Sequence, residues 1–405
     1  MRIVLATFGS RGDVQPMLAL SLALKSAGHE VLLAAPPEKA QWAKELGCPF
    51  RPLGSNFTAF IDGLKDAHSF ASGFRFTSYM RREIATQFDV LPGILEGADL
   101  VVGASLVFAL ASVADFMGVP YRFIVFTPQL LPSSHHPFVA FRRHGLPGWY
   151  NRLTWKIARM LDSFNLTLIL NRRRKQLCLR PIRDAWLHIL GQRVIVASDK
   201  AIADVPPDVG IGHAQTGYLH LEQQHEDRPD LEKFLRAGSA PVYAGFGSMP
   251  VRDQEKNVSI VVEASRSVGR RVVIGRFWEG PSGLQEGRDV FFIKGYPHLR
   301  LFPRMAAVIH HGGAGTTASS AASGVPQIVV PHVLDQYYWG HRVHAARLGP
   351  KPIWRAGLNT GKLAAAIEEC LANDAIRRSA ESASRMIDRR ESLEMTVREV
   401  IRAVG

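Results

Sequence analysis

The longest uncharged apolar stretch in this 405-residue chain, Leu100 to Ala114, ends at Asp115. It falls short of the roughly 20 residues a membrane-spanning helix needs. No transmembrane segment is therefore expected. The opening residues, MRIVLATFGSRGD, hold an apolar run too short for a signal peptide, and a cytoplasmic location follows as the expectation. Cysteine is scarce too: Cys48, Cys178 and Cys370 lie far apart without metal-ligand spacing, and an odd number argues against a disulfide framework. No GKS or GKT follows any glycine loop, which excludes a P-loop. No DxD pair is present to hold a divalent ion on a diphosphate, so no metal or cofactor is expected.

Acidic residues are outnumbered, 36 against 49 Lys and Arg, for a formal net charge of +13. The excess is local. Arg142, Arg143, Arg152, Lys156, Arg159, Arg172, Arg173, Arg174, Lys175, Arg180 and Arg183 fall in one segment whose single acid is Asp162. Trp149, Leu153, Trp155, Met160, Leu161 and Leu168 are interleaved with them, a pattern that predicts one long amphipathic helix with a basic face. Two readings stand: peripheral contact of residues 142–183 with anionic lipid, or a helix packed on a sheet with its arginines solvated. Nucleic-acid binding is disfavoured because no recognised module accompanies the charge.

What is abundant is βαβ rhythm. RIVLATF, EVLLAA, DLVVG and RFIVF alternate with helical patterns, the first from about Val14 to Ala27 and the second near Lys39 to Leu46. PVYAGFG, RVVIG, DVFFI, AAVIHH and QIVVP restart the alternation in the second half. The length exceeds one ordinary core. The fold class is thus α/β with two doubly wound parallel-sheet domains facing a cleft, and a linker is expected at residues 212–229, where periodicity lapses. Ligands of such sheets bind beyond the carboxyl ends of the strands, so the loops that follow strands are the candidates for chemistry.

The most informative of these is HHGGAGTT, His310 to Thr317, between the apolar run Met305 to Ile309 and a small-residue stretch suited to a helix start. Glycines 312, 313 and 315 let backbone N–H groups approach phosphate oxygens, and a helix N-terminus adds roughly half a positive charge. Adjacent residues of a strand point to opposite faces, so His310 and His311 cannot readily share a metal. His311 is the phosphate candidate and His310 a packing residue. Asp335 and Gln336 offer acceptors and donors suited to sugar hydroxyls, or they cap a helix. Asp13, after the first strand, either caps the helix expected to begin near Val14 or serves as a general base. An ordinary Asp, with a pKa of about 3.9, is a weak base, so its pocket would have to raise it or the proton move late. Gly245-Phe246-Gly247 is only a weak dinucleotide signal, lacking a third glycine, while Ser248 either donates to a phosphate or caps a helix.

Together GSRGDVQP (9–16), GFGSMP (245–250), YPHLRLFPRMAAVIHHGGAGTT (296–317) and GVPQIVVPHVLDQYYWGHRV (324–343) make the chain resemble the family 1 glycosyltransferases of GT-B fold. The likeness is strongest to the sterol glucosyltransferase and antibiotic (glycopeptide and macrolide-type) branches. The resemblance implies two Rossmann-like domains: an N-terminal acceptor-binding domain, 1–215, and a C-terminal donor-binding domain, 216–388, with a last helix, 389–405, crossing back. It implies Asp13 as catalytic base, with Ser10, Arg11 and Gly12 near the donor phosphates or acceptor. His311, Gly313, Gly315 and Thr316 would bind the diphosphate with Ser248 assisting. Gly295 to His298, with Tyr296 and His298, would hold the nucleobase, and Asp335 with Gln336 the sugar. Plant-type members carry a catalytic His in the first loop that is absent here. The position of a ribose-binding Glu in many members is Ser319, so the resemblance assigns no residue to the ribose.

The implied activity is inverting, metal-independent transfer of a hexose from a nucleoside diphosphate sugar, UDP-glucose ahead of dTDP-sugars, to a hydroxyl of an apolar acceptor. A sterol, lipid or polyketide is indicated by the Phe-, Leu-, Pro- and His-rich stretches 56–88 and 128–150, unless these pack the first core. The alternatives are a nucleotide-sugar epimerase or phosphorylase on the same architecture, or a sugar-nucleotide or lipid binding protein without catalysis.

Overall fold

A computed structural model describes residues 1–64, 70–163, 165–223, 227–246, 254–275 and 287–402. Two parallel sheets organise it. The first contains β1 (Arg2–Phe8), β2 (Glu30–Ala35), β3 (Phe50–Pro52), β4 (Leu100–Ser105), β5 (Tyr121–Val125), β6 (Arg193–Val196) and β7 (Gly212–Gln215) in the order β3-β2-β1-β4-β5-β6-β7. The second contains β8 (Val242–Gly245), β9 (Val272–Gly275), β10 (Val290–Ile293), β11 (Ala307–His310) and β12 (Gln327–Val329) in the order β10-β9-β8-β11-β12. The inner strands are near-continuous apolar runs because helices cover both faces of each sheet, whereas β3 and β7, at the edges of the first sheet, are short and partly exposed. Along β1, Val4, Ala6 and Phe8 enter one core layer while Ile3 and Leu5 enter the other.

Strand order reverses once in each sheet. From β1 the chain winds outward to β2 and β3, then returns to the other side of β1 to start β4; β8 and β11 repeat the arrangement. At such a switch point the loops after two neighbouring strands diverge to opposite faces and leave a crevice. Phe8 is registered against Ser105, and His310 against Gly245, so the loops leaving these residues border the two crevices.

The halves are joined by packing as well as by the linker. Ala314 and Ala318, from the helix Ala314–Ala322 of the second half, pack into a cluster with Val14, Leu18 and Tyr218. The final helix, Arg389–Ile401, crosses back onto the first helix, Arg11–Ser26. It buries Val400 there, bonds Thr396 Oγ1 to Thr216 Oγ1 at 2.7 Å and pairs Glu399 with Arg193 at 2.9 Å.

Three expectations change. Residues 212–215, expected in the linker, form β7, because the run after β6 completes the sheet edge. The first helix starts at Arg11 rather than Val14, since Ser10 is its cap. The basic segment is not one helix: Gly148–Ser163 and Leu166–Gln176 are separate, and Asn165 between them returns its side-chain amide to the Leu161 carbonyl at 3.0 Å. Much of the apolar content of 56–88 is core, with Phe57, Tyr79, Met80, Ile84 and Phe88 buried in one cluster. Among the described residues no helix is long and apolar enough to cross a membrane.

Candidate active site

The loop after β1 is built around one carboxylate. Ser10 caps the first helix, its Oγ accepting from the Gly12 amide at 3.3 Å, and Asp13 completes the capping box three residues on. Asp13 Oδ2 accepts from the Ser10 amide at 2.7 Å and from Ser10 Oγ at 2.9 Å. Asp13 Oδ1 accepts from Ser105 Oγ at 2.7 Å. The fold-back is open only because residue 9 is glycine: with φ at +151°, a Cβ there would lie 2.4 Å from Asp13 Oδ2. Ser105 ends β4 with a left-handed φ of 61°, uncommon for a residue with a side chain. Burial raises the Asp13 pKa, and it outweighs the opposing pull of the Ser105 and Ser10 bonds.

Sequence reasoning missed Ser105. Its signal was its place at the carboxyl end of a strand beside β1, a topology that strand patterns alone did not supply. Because the Ser105 bond favours the ionised carboxylate, Ser105→Ala is expected to push the Asp13 pKa higher. The acid limb of the kcat/KM profile should then move to higher pH. A hydrogen bond to a charged group is worth about 1.5–3 kcal/mol, so roughly a tenfold loss of activity at neutral pH is expected as well. An unmoved limb would reduce Ser105 to a packing residue.

The turn after β11 carries the second cluster. His310 is fully buried, with Nε2 on Gln327 Oε1 at 3.0 Å and Nδ1 accepting from the Gly312 amide at 3.0 Å. It is thus more than packing, because it holds the glycine turn in shape. Gly312, with φ at +87°, leaves no room for a Cβ, which would lie 2.8 Å from Val329 and 2.9 Å from the Gln336 carbonyl. Gly313 is the N-cap of the helix Ala314–Ala322, and a Cβ on it would lie 2.5 Å from His311 Nε2. A Cβ on Gly315 would lie 2.6 Å from the Tyr218 hydroxyl. His311, Gly313, Gly315 and Thr316 remain partly accessible at this helix start, where amide N–H groups lack intrahelical partners. Burial lowers the His311 pKa to about 4 against a raising pull from the Gly245 carbonyl, so its imidazole is neutral at neutral pH.

The two clusters face one another. The Asp13 charge is felt by Tyr218, beside Gly315, and by Asp335, whose pKa is raised to about 7 by burial and then by Asp13. Arg11 lies 4.8 Å over the Trp42 ring and reaches Gln223 at 3.5 Å. Burial lowers the pKa of His298 to about 4, with smaller contributions from Arg11 and His311, and its ring stacks on Phe302. Asp335 does not cap its helix through a side-chain bond; its Oδ2 accepts from Trp339 Nε1 at 3.2 Å. Gln336 Oε1 is engaged by the His332 and Val333 amides, leaving its NH2 group as the remaining polar end. Tyr296 packs its ring on the core of the second half. Ser319 is buried within its helix, and Ser248 lies outside the described residues. No group of three or more His, Cys, Asp or Glu converges as a metal site among the described residues.

Both halves of the chain resemble known proteins. Residues 3–131 match the glycosyltransferase family 28 N-terminal domain, and residues 287–401 match the C-terminal domain of erythromycin biosynthesis protein CIII-like proteins. The vancomycin aglycone glucosyltransferase of Amycolatopsis orientalis is 36% identical over 356 residues, covering 86% of this chain and 84% of its own length. The chain belongs to the GT-B glycosyltransferases. A second relative of this glycosyltransferase is the sterol 3-beta-glucosyltransferase UGT80A2 of Arabidopsis thaliana, 32% identical over 404 residues, 94% of this chain and 62% of the relative. Among solved structures, the glycosyltransferase VinC in complex with dTDP shares the fold, with a TM-score of 0.66 and 20% identity over 100% of this chain and 99% of that one.

Proposed function

We propose that this glycosyltransferase moves a hexose, with inversion and without a metal ion, from a nucleoside diphosphate sugar to a hydroxyl of a large apolar acceptor. The observation that carries the reading is the placement of the raised Asp13 carboxylate, at the switch point of the first sheet, opposite the glycine turn and Asp335 of the second. The acceptor hydroxyl gives its proton to Asp13 while its oxygen bonds to the anomeric carbon. The bond from that carbon to the diphosphate oxygen breaks, and its electron pair leaves with the nucleoside diphosphate. Amides at the start of the helix Ala314–Ala322, Thr316 and His311 stabilise the charge developing on that leaving group. Asp335, able to donate as well as accept near neutral pH, and the Gln336 NH2 hold sugar hydroxyls; Gly295 to His298 hold the base.

UDP-glucose is placed ahead of dTDP-sugars because both relatives named above are glucosyltransferases, while the dTDP bound by VinC keeps the second base in view. Their names also support a large, partly apolar acceptor. The test is a thermal-shift screen of UDP, dTDP and their sugars in EDTA, followed by NMR of the product's anomeric configuration. A ligand at 100 times its Kd adds about 2.7 kcal/mol, and each kcal/mol shifts a domain of this size by about 2–4 °C. A rise of roughly 5–10 °C is therefore expected with the right nucleotide. No rise with any nucleoside diphosphate would reject the donor site, and retained configuration would reject single displacement.

A further inference from the structure

The helix Gly148–Ser163 presents the wrong face to solvent. Its inner face is anchored to the loop before it, with Asn151 Nδ2 on the Ser134 carbonyl at 2.8 Å and Trp155 Nε1 on the His136 carbonyl at 3.2 Å. The outward stripe should then be polar, as on any surface helix. Instead Trp149 is 64% exposed, Leu153 42% and Met160 56%, at helical spacings of four and seven residues that keep them on one side. Arg152 and Lys156 stand between them, both exposed. Leu161 and Leu168 are exposed as well, so five of the twelve exposed large apolar residues described lie between 149 and 168.

The basic residues of this segment divide into two groups. Arg174 is buried against Asp115 at 2.8 Å, Arg159 is paired with Asp184 at 2.6 Å, and Arg173 lies 3.8 Å from Asp89. Arg174 braces the interior, and the other two are paired at the surface. Arg143, Arg152, Lys156, Arg172 and Lys175 have no carboxylate within 4.0 Å among the described residues, and Arg142 lies over the Tyr337 ring.

We propose that this stripe docks on an anionic lipid surface, with Trp149, Leu153, Met160 and Leu161 in the interface and the basic side chains on phosphate headgroups. Indole rings settle at the headgroup level, and Lys and Arg bury their stems while their charges stay wet. Apolar insertion together with basic charge is the combination that gives reversible interfacial binding. Self-association through the same face is disfavoured by charge, since two copies would bring like-signed rims together. The inference deepens the reading of an apolar acceptor. The loop that anchors the helix packs His136 and His144 on Tyr338, three residues past Asp335, so the docked face lies beside the cleft wall.

The test is flotation of the full chain with phosphatidylcholine vesicles, alone or mixed with phosphatidylglycerol, at low and high salt, without donor or acceptor. Binding is expected only to the mixed vesicles and mainly at low salt. A basic residue near such a surface is worth about fivefold in partitioning, so Arg152→Glu with Lys156→Glu should reduce binding by at least about 25-fold. Leu153→Glu with Met160→Glu should abolish it, while Met386→Glu, at a still more exposed site elsewhere, should not. All these positions are exposed, and unchanged melting temperatures will confirm folding. No flotation at low salt, equal binding to neutral vesicles, or a salt-stable dimer through this face would overturn the proposal. None of these readouts depends on sugar transfer, so the donor-site reading stands or falls separately.

Discussion

Asp13→Asn is expected to fold, to bind nucleoside diphosphate normally and to turn over about 10²–10⁴ times more slowly, the range that a positioned general base contributes. Asparagine retains an oxygen for one of the acceptor roles toward Ser10 and Ser105 but cannot take a proton. The structural cost is that of a weakened cap, about 0.5–2 kcal/mol, readable as a small fall in melting temperature. Turnover and stability therefore separate, and a folded variant with normal kcat would remove Asp13 from the chemistry. The pH profile sharpens the test. Asp13 must be ionised to act, so activity should fall as pH drops through its pKa, which burial holds above the ordinary carboxylate range. Asp335 ionises near pH 7 and opposes the second charge, so the acid limb belongs to the pair of carboxylates rather than to either alone.

His311→Ala should reduce kcat by about 10²–10³, as removal of one donor from an oxyanion-type site does, and should weaken nucleoside diphosphate binding by calorimetry. The residue acts from a neutral resting state, since burial keeps its pKa near 4. A bound diphosphate favours the charged ring and moves that pKa upward. Affinity for the nucleoside diphosphate should accordingly increase as pH falls in the wild-type protein and lose that dependence in the variant. Binding unchanged in both amount and pH response would exclude His311 from the phosphate site.

The fold class was legible because parallel strands between two helix layers leave bare apolar runs, and RIVLATF or AAVIHH can hardly be read otherwise. The glycines of the 310–317 turn were legible as a close-approach site, but each has a different neighbour: Val329 and Gln336 for Gly312, His311 for Gly313, Tyr218 for Gly315. Those neighbours come from elsewhere in the fold, and no local pattern announces them. Ser105 and Tyr218 were invisible for the same reason: a serine ending a strand and a tyrosine in a linker acquire meaning only when strand order sets them beside Asp13 and Gly315. The basic segment misled in the opposite direction. Its periodicity was real, yet Asn165 divides it into two helices, and only burial separates Arg174, which braces the interior, from Arg152 and Lys156, which face outward.

The returning helix at the end of the chain sets a rule for anyone recombining these enzymes. The polypeptide passes between halves twice, so the N-terminal half is assembled from two non-contiguous pieces of gene. A chimera that grafts a foreign C-terminal half after residue 215 also exchanges the tail that completes the N-terminal half. It strips Arg193 of Glu399 and the first helix of Val400. Cutting at two junctions, with Thr216 and residues 389–402 both kept native beside the N-terminal half, retains those contacts and the bond between Thr216 and Thr396.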